Sequence, residues 1–305
     1  MEGSLETVMA ANLDTVDWKG SGIPEINLHL IPEGDVEPDV ISRFQEDGAV
    51  LMKGLYSDWV DTLRAGLQRN MESPLEYAFP CDSTPAGAPG KYFDSYCNWL
   101  LIPEYFEFVT RSTAASVAGQ LMNANEVQFF HDHAFCKEPG TQQATPWHQD
   151  HPYYCVDGQQ SASLYVALDS TPAEVALRFV RGSHRWEKLF HPVSFLDGEN
   201  FDTDGDVQEA VPDIEGNPGQ FEILVWDLEP GDCIAFHFQS LHGTTDGEVI
   251  GRRRALSTRW LGDDIIYCER QIETSPPYSD IGLRHGDRMR EDWFPVLWQR
   301  NSNHS

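Results

Sequence analysis

From Glu126 to Gly262 the chain is written in short runs that alternate, or stay apolar for a few residues, and then stop at a turn: EVQFFHDHAF, TPWHQDHPYY, SASLYVALD, ALRFVRGSH, FEILVWDL, DCIAFHF and RALSTRWLG. Such runs, rich in aromatic and β-branched residues and punctuated by Asp157-Gly158 and Pro230-Gly231-Asp232, read as strands. Seven or eight of them in succession fit a jelly-roll sandwich or barrel, a double-stranded β-helix. Helices precede them. Residues 37–72 read as helix, short strand at Gly48 to Gly54, and helix, with Leu55, Trp59, Leu63 and Leu67 at helical spacing and Ser57 placed to cap the second helix. After the Pro/Gly-rich CDSTPAGAPGKY comes a further helical stretch from about Pro103 to Met122, with Phe106, Val109, Val117 and Leu121 on one side.

The expectation is a mainly β fold buttressed by N-terminal helices, in one domain spanning 1–305. It divides into an extension (1–36), a mostly helical buttress (37–125), the jelly-roll core (126–262) and a C-terminal segment (263–305) without an assignable motif. No internal repeat or low-complexity linker divides it further. With 49 acidic against 21 basic side chains the formal charge is −28, a field that disfavours nucleic acid and anionic membrane surfaces as partners. No apolar run approaches the roughly 18 to 20 residues that span a bilayer, and the first residues lack a leader pattern, so a cytoplasmic protein is expected. Six cysteines are scattered without a C-x-x-C pair, which predicts reduced thiols.

Chemistry concentrates at His148-Gln149-Asp150. In a strand, residues two apart share a face, so an imidazole and a carboxylate there could hold one metal ion. A second histidine, His242, directly after the strand DCIAFHF, would complete a 2-His-1-carboxylate facial triad, which leaves adjacent positions open for oxygen chemistry on ferrous iron. The pattern also occurs at His285-Gly286-Asp287, but in a polar segment after the last clear strand, which reads as surface. Downstream of His242, alternation places Arg253, Ala255 and Ser257 on one face. A guanidinium with a hydroxyl nearby makes a cradle for a carboxylate; the other reading of Arg252 to Arg254 is a solvated basic cluster.

Taken in order, His148-Gln149-Asp150, His242-Gly243-Thr244 and Arg253-Arg254-Ala255-Leu256-Ser257 resemble the phytanoyl-CoA dioxygenase-like branch of the iron(II)/2-oxoglutarate-dependent oxygenases. RFQEDGAVLMKGLYSDW (43–59) looks like that family's N-terminal helix and strand, and Arg181-Gly182-Ser183-His184-Arg185 like its G-S-H turn, so the resemblance covers about residues 40 to 262. It implies an oxidoreductase, with His148, Asp150 and His242 as iron ligands and Arg253, with Thr244 or Ser257, binding the cosubstrate 2-oxoglutarate. It also implies O2 as second cosubstrate and hydroxylation of an unactivated C–H bond of a small molecule, with release of succinate and CO2. Asp150 favours hydroxylation over halogenation, for which relatives carry a small residue at that place; desaturation or oxidative ring closure by the same oxidant is the alternative. The chain departs from the family at Ala173-Glu174-Val175-Ala176, a loop that borders substrate in that family, so no member's substrate is carried over.

Substrate contacts are expected among Trp147, Tyr153, Tyr154, Tyr96, Trp99, Arg178, Arg181 and Arg259, with Gln128 and Lys137 as further groups able to reach substrate or cosubstrate. Three competing readings remain. His131-Asp132-His133 with Glu138 resembles part of a cupin metal pattern, without its bracketing glycines. A non-catalytic jelly-roll binding protein is another. A nucleophilic hydrolase at Ser183-His184 lacks the G-x-S-x-G context.

Overall fold

The computed structural model describes residues 23–73, 78–79, 90–141, 144–192, 209–245, 247–272, 274–278 and 281–300. The N-terminal helix α1 (Pro38–Asp47) starts on a proline whose missing N–H costs nothing there and ends at Gly48, whose φ of 79° closes the helix by donating to the Phe44 carbonyl. A Cβ at Gly48 would meet His184 Nδ1 at 2.3 Å, so this turn also lets the helix approach the sheet. Strand β1 (Ala49–Met52) follows, then α2 (Val60–Glu72). Ser57 does not cap α2: it opens a single 3-10 turn and its hydroxyl donates back to the Gly54 carbonyl. The expected long helix from Pro103 to Met122 is two, α3 (Pro103–Arg111) and α4 (Ala114–Met122). The break is at Ser112, which turns extended (ψ 174°) while its hydroxyl accepts from the Ala114 amide; a side chain competing for backbone donors ends the helix where apolar periodicity alone would continue it.

The strands are β2 (Ala78–Phe79), β3 (Tyr92–Tyr96), β4 (Glu126–Lys137), β5 (Val156–Asp157), β6 (Ser161–Ala167), β7 (Arg178–Val180), β8 (Ile223–Val225), β9 (Cys233–Phe236), β10 (His242–Gly243), β11 (Arg253–Leu261), β12 (Ile266–Tyr267) and β13 (Val296–Gln299). Eight form the major antiparallel sheet, in the order β1-β9-β6-β11-β4-β3-β2, with β13 sharing the β4 edge with β3. A smaller sheet, β10-β7-β8, faces it, and β5 pairs with β12. This is the mainly β, helix-buttressed jelly roll expected, with open rather than closed sheets.

The helices cover the outer face of the major sheet. Leu63, Leu67, Tyr105, Phe108, Val109 and Leu121 bury against Leu164, Val166, Leu256 and Trp260, each such side chain worth about 1.5–3 kcal/mol of burial. The inner face, between the sheets, carries a smaller apolar cluster with Tyr165, Phe179, Phe236 and Ala255, and beside it the polar groups of the site. Segment 263–300, silent in sequence, adds β12 and β13 and a third cluster in which Tyr278 and Phe294 pack on Phe130. Among the described cysteines all five are buried thiols without a disulfide; Cys81 lies outside the described residues.

Candidate metal centre and active-site pocket

Strict alternation on three neighbouring strands builds the pocket. Its wall takes Tyr92, Asp94 and Tyr96 from β3, His131, His133, Phe135 and Lys137 from β4, and Arg253, Ser257 and Arg259 from β11. The register stacks them in rows: Arg253 faces Lys137, which faces Tyr92; Ser257 faces His133, which faces Tyr96; Arg259 faces His131. Beyond that row the pairing slips on β4, Trp260 opposing Phe129, so that Phe129 turns to the helix side against Trp260 instead of continuing the inward row; bulges of this kind adjoin many active sites.

His148, Asp150 and His242 converge on the pocket, all buried, with ligand atoms within 4.8 Å of one another. They do so by a route that period-two reasoning did not foresee. His148 is not within a strand; it makes a lone antiparallel bridge with His242, each amide donating to the other's carbonyl at 2.9 Å, which sets the two imidazoles side by side with ring centroids 4.2 Å apart. Asp150 is helical in backbone (φ −68°, ψ −37°) and leads into the 3-10 turn His151–Tyr153. The turn, not the pleat, brings its Oδ1 to 3.5 Å from His148 Nε2 and 3.6 Å from His242 Nε2. Gln149 points away, bonding the Gln239 and Lys188 carbonyls and the Phe190 amide. A Cβ at Gly243 would meet the Thr145 carbonyl at 2.9 Å, which is why a glycine follows His242.

The donor set suits a divalent metal. Nδ1–H of His148 donates to the Pro146 carbonyl (2.8 Å) and Nδ1–H of His242 to the Ser240 carbonyl (2.9 Å), so both lone pairs are on the Nε2 atoms that face Asp150. Burial, with His148 beside it, lowers His242 to about 3, keeping it neutral. Burial alone would raise Asp150; the Arg259 charge and the two histidines outweigh it and hold the carboxyl well below the usual carboxylate range. Arg259 is itself buried and fully engaged, bonding the Tyr154 hydroxyl (3.0 Å) and the Ser257 carbonyl (3.1 Å) and lying 3.5 Å from Asp150 Oδ2. It backs the metal ligand rather than reaching for substrate.

Alternation also sorts the arginine triplet. Arg252 pairs with Glu138 and Arg254 with Asp169, on the outside, whereas Arg253 turns inward and is buried. Its guanidinium donates to the Val175 carbonyl (2.6 Å) and lies 3.4 Å from the Tyr165 hydroxyl, with no carboxylate in ion-pair range among the described residues. Ser257 Oγ, four residues on, is buried without a hydrogen-bond partner among the described residues, and Thr244, whose hydroxyl accepts from the Thr145 amide, also lines the wall. A buried cation without an acid and an orphaned hydroxyl on one wall are what an anionic ligand would satisfy.

Of the substrate candidates, Tyr96, Tyr153, Tyr154 and Lys137 line the pocket. Five others lie outside it. Trp99 stacks on Phe106 in the helix-side core; Trp147 and Arg178 pair with each other and both bond Glu215. Arg181 bridges Asp47 and Glu222, and Gln128 bonds the Met289 and Phe294 carbonyls. Sequence reasoning missed Tyr92, Asp94, Phe135 and Thr145, and from the C-terminal segment Ser275 and Pro276, which also line the wall. The β4 alternation contained the signal for Phe135 and Lys137. The cupin pattern does not assemble: His131 and His133 share the wall, but His133 bonds Asp94, Asp132 accepts from the Trp99 amide, and Glu138 belongs to Arg252. His285-Gly286-Asp287 is an exposed turn, and Ser183 is bonded to the Val180 carbonyl and Leu241 amide.

The comparisons agree with this architecture. Solved structures of the same fold include the non-heme alpha ketoglutarate dependent epimerase SnoN from nogalamycin biosynthesis (19% identity over 88% of this chain and 98% of that one, TM-score 0.65). The carbocyclase SnoK of the same biosynthesis matches at 17% identity over 87% and 97%, TM-score 0.64, and EctD from S. alaskensis at 18% over 79% and 83%, TM-score 0.56. A search of the curated proteins finds no match. The phytanoyl-CoA dioxygenase (PhyH) family model matches residues 44–255, from the first helix to the inner end of β11. With the metal triad and the inward arginine inside or at the edge of that span, the chain belongs to the phytanoyl-CoA dioxygenase family and is an oxidoreductase of the iron- and 2-oxoglutarate-dependent oxygenase type.

Proposed function

We propose that this protein hydroxylates an unactivated C–H bond of a small-molecule metabolite, with His148, Asp150 and His242 holding ferrous iron and Arg253, Ser257 and Thr244 holding 2-oxoglutarate. The observation that carries this reading is the pairing on one wall of a three-ligand site with a buried, acid-free guanidinium. Bound there, iron with 2-oxoglutarate and O2 supplies oxidation of the substrate coupled to release of succinate and CO2. The protein's own part is positional. The Pro146 and Ser240 carbonyls fix the histidine tautomers, Arg259 keeps Asp150 ionised, and the Arg253 fork meets a carboxylate with parallel charge-assisted bonds.

Along the same β3–β4–β11 wall Tyr96 and His131, with Tyr153 from the 3-10 turn, give the pocket rings with polar tips, a lining suited to a mid-sized, partly polar molecule. Ring closure is the second reading, favoured by the fold shared with a carbocyclase, since hydroxylation and cyclisation diverge only after hydrogen abstraction from substrate. Asp150→Ala is expected to abolish succinate release in a metabolite-pool screen of the iron-loaded protein. Undiminished turnover in that variant would remove Asp150 from the metal site and with it the proposed function.

A further inference from the structure

At the metal end of the wall, two rows from Arg253, stands an imidazole that neither the ligand set nor the cosubstrate site uses. His131 is 2% exposed and lines the pocket, its ring edge-on to Tyr154 and to Phe130. Among the described residues neither of its ring nitrogens makes a hydrogen bond, and Nδ1 is fully buried. A buried polar ring left unbonded is destabilising, and facing a cavity it is what a ligand would complete. Its neighbours are taken: Arg259, directly opposite in the register, holds Asp150, the Tyr154 hydroxyl and the Ser257 carbonyl, and His133, two positions on, is bonded to Asp94. We propose that His131 is the substrate-recognition residue of this pocket, hydrogen-bonding an alcohol hydroxyl, and that the substrate is a neutral, hydroxyl-bearing molecule. This substrate class rests on the functional reading above and deepens it.

Charge decides which polar group meets the ring. Burial first, and then Arg259 and His133, hold the imidazole well below its usual range against the opposing pull of Asp150, so the ring is neutral, with one donor and one acceptor nitrogen. A hydroxyl donates and accepts through one atom and is matched by either tautomer. A carboxylate only accepts, and the cation facing His131, Arg259, is already paired with Asp150. An ammonium only donates, and would approach that same cation. Tyr96 and Tyr153 on the same lining offer ring faces to the carbon skeleton. One hydroxyl held at His131 then fixes which carbon the molecule presents to the metal centre.

The test uses the anaerobic full chain, loaded with cobalt(II) and 2-oxoglutarate, and probes that share one carbon skeleton: cyclohexanol, cyclohexanecarboxylate and cyclohexylamine. Paramagnetic relaxation of the probe ring protons by cobalt, with the zinc(II) protein as blank, reports binding beside the metal. Wild type is expected to bind cyclohexanol most tightly. His131→Phe should weaken cyclohexanol about three- to ten-fold, the worth of one hydrogen bond, and leave the other two probes unchanged. His131→Asn, which keeps a donor and an acceptor, should recover part of that loss. The His131→Phe protein should also melt at or above the wild-type temperature, because an apolar ring replaces an unbonded polar one. A His131→Phe protein that melts lower, or that keeps the wild-type cyclohexanol affinity, overturns the proposal, as does a wild type that prefers the carboxylate or the amine. A wild-type protein that takes up cobalt but, by calorimetry, no 2-oxoglutarate overturns the functional reading instead, so the two failures are distinct.

Discussion

Arg259 is the residue on which the metal site's acid depends, and removing it has a calculable cost. Its guanidinium is buried, lies 3.5 Å from Asp150 Oδ2, and also holds the Tyr154 hydroxyl and the Ser257 carbonyl. At 3.5 Å the Asp150 contact is a marginal hydrogen bond, so the charge matters more than the bond. Ser163 adds only a 3.4 Å contact to the same oxygen. In Arg259→Met, Asp150 keeps its burial but loses its largest favourable charge, and its carboxyl rises from below the ordinary range. Losing an outer partner of a metal ligand typically costs 10–100-fold in metal affinity, about 1.4–2.7 kcal/mol. Without metal, a buried carboxylate deprived of its cation costs about 3–5 kcal/mol of folding stability.

The sign with pH follows. A carboxyl depressed in the folded state contributes stability that is present above its unfolded value and lost only as pH falls through the folded one. Asp150 therefore contributes no loss of metal affinity as pH falls to 5 in the wild type, while in Arg259→Met its protonation adds a progressive loss toward acid pH. Cobalt(II) titration followed by visible absorption at pH 5 to 8 measures this directly, with Arg259→Lys as the variant that keeps the charge but not the fork. A cobalt affinity in Arg259→Met that matches wild type at pH 5 refutes the reasoning.

Other consequences are simpler to state. Arg253→Met should raise the 2-oxoglutarate requirement by about 2–4 kcal/mol, roughly 30- to 1,000-fold, while iron affinity, measured by calorimetry, stays put. Ser257→Ala, removing a hydroxyl that has no partner among the described residues, should cost 2-oxoglutarate binding about 1 kcal/mol and leave the melting temperature unchanged. Burial pushes the Asp132 carboxyl up to about 7, against the amide bonds it accepts from Trp99 and its neighbours. A raised acid gives stability that is full below its unfolded value and lost as pH rises through 7, so Asp132→Asn should raise the melting temperature at pH 8, by about 1–3 kcal/mol of stability, with little effect at pH 4.5.

Which parts of this molecule were legible in its sequence follows from how local their causes are. The rows of the pocket depend on alternation, a property of each strand alone, and Arg253, Ser257 and Arg259 emerge on the same wall as a period of two requires. The paired outer arginines obey the same rule in reverse. The metal site obeyed a different one. His148 and Asp150 share a target because a bridge to His242 and a 3-10 turn bend the chain, and no period in the sequence encodes a bend. The same limit explains Trp147 and Trp99. Trp147 flanks the metal ligands in sequence and Trp99 lies in an earlier aromatic stretch, but a tryptophan's direction is fixed by partners remote in sequence, Glu215 and Arg178 for the first and Phe129 for the second.

Arg259 is the instructive case, since alternation put it on the correct wall while its role depends on Tyr154 and Asp150, more than a hundred positions earlier. Position on a face is therefore readable from one strand, whereas occupation of a side chain is readable only once its partners are in place. Arg253 belongs to the first category and Arg259 to the second, which is why replacing Arg253 should change how 2-oxoglutarate binds, and replacing Arg259 how tightly the metal is held.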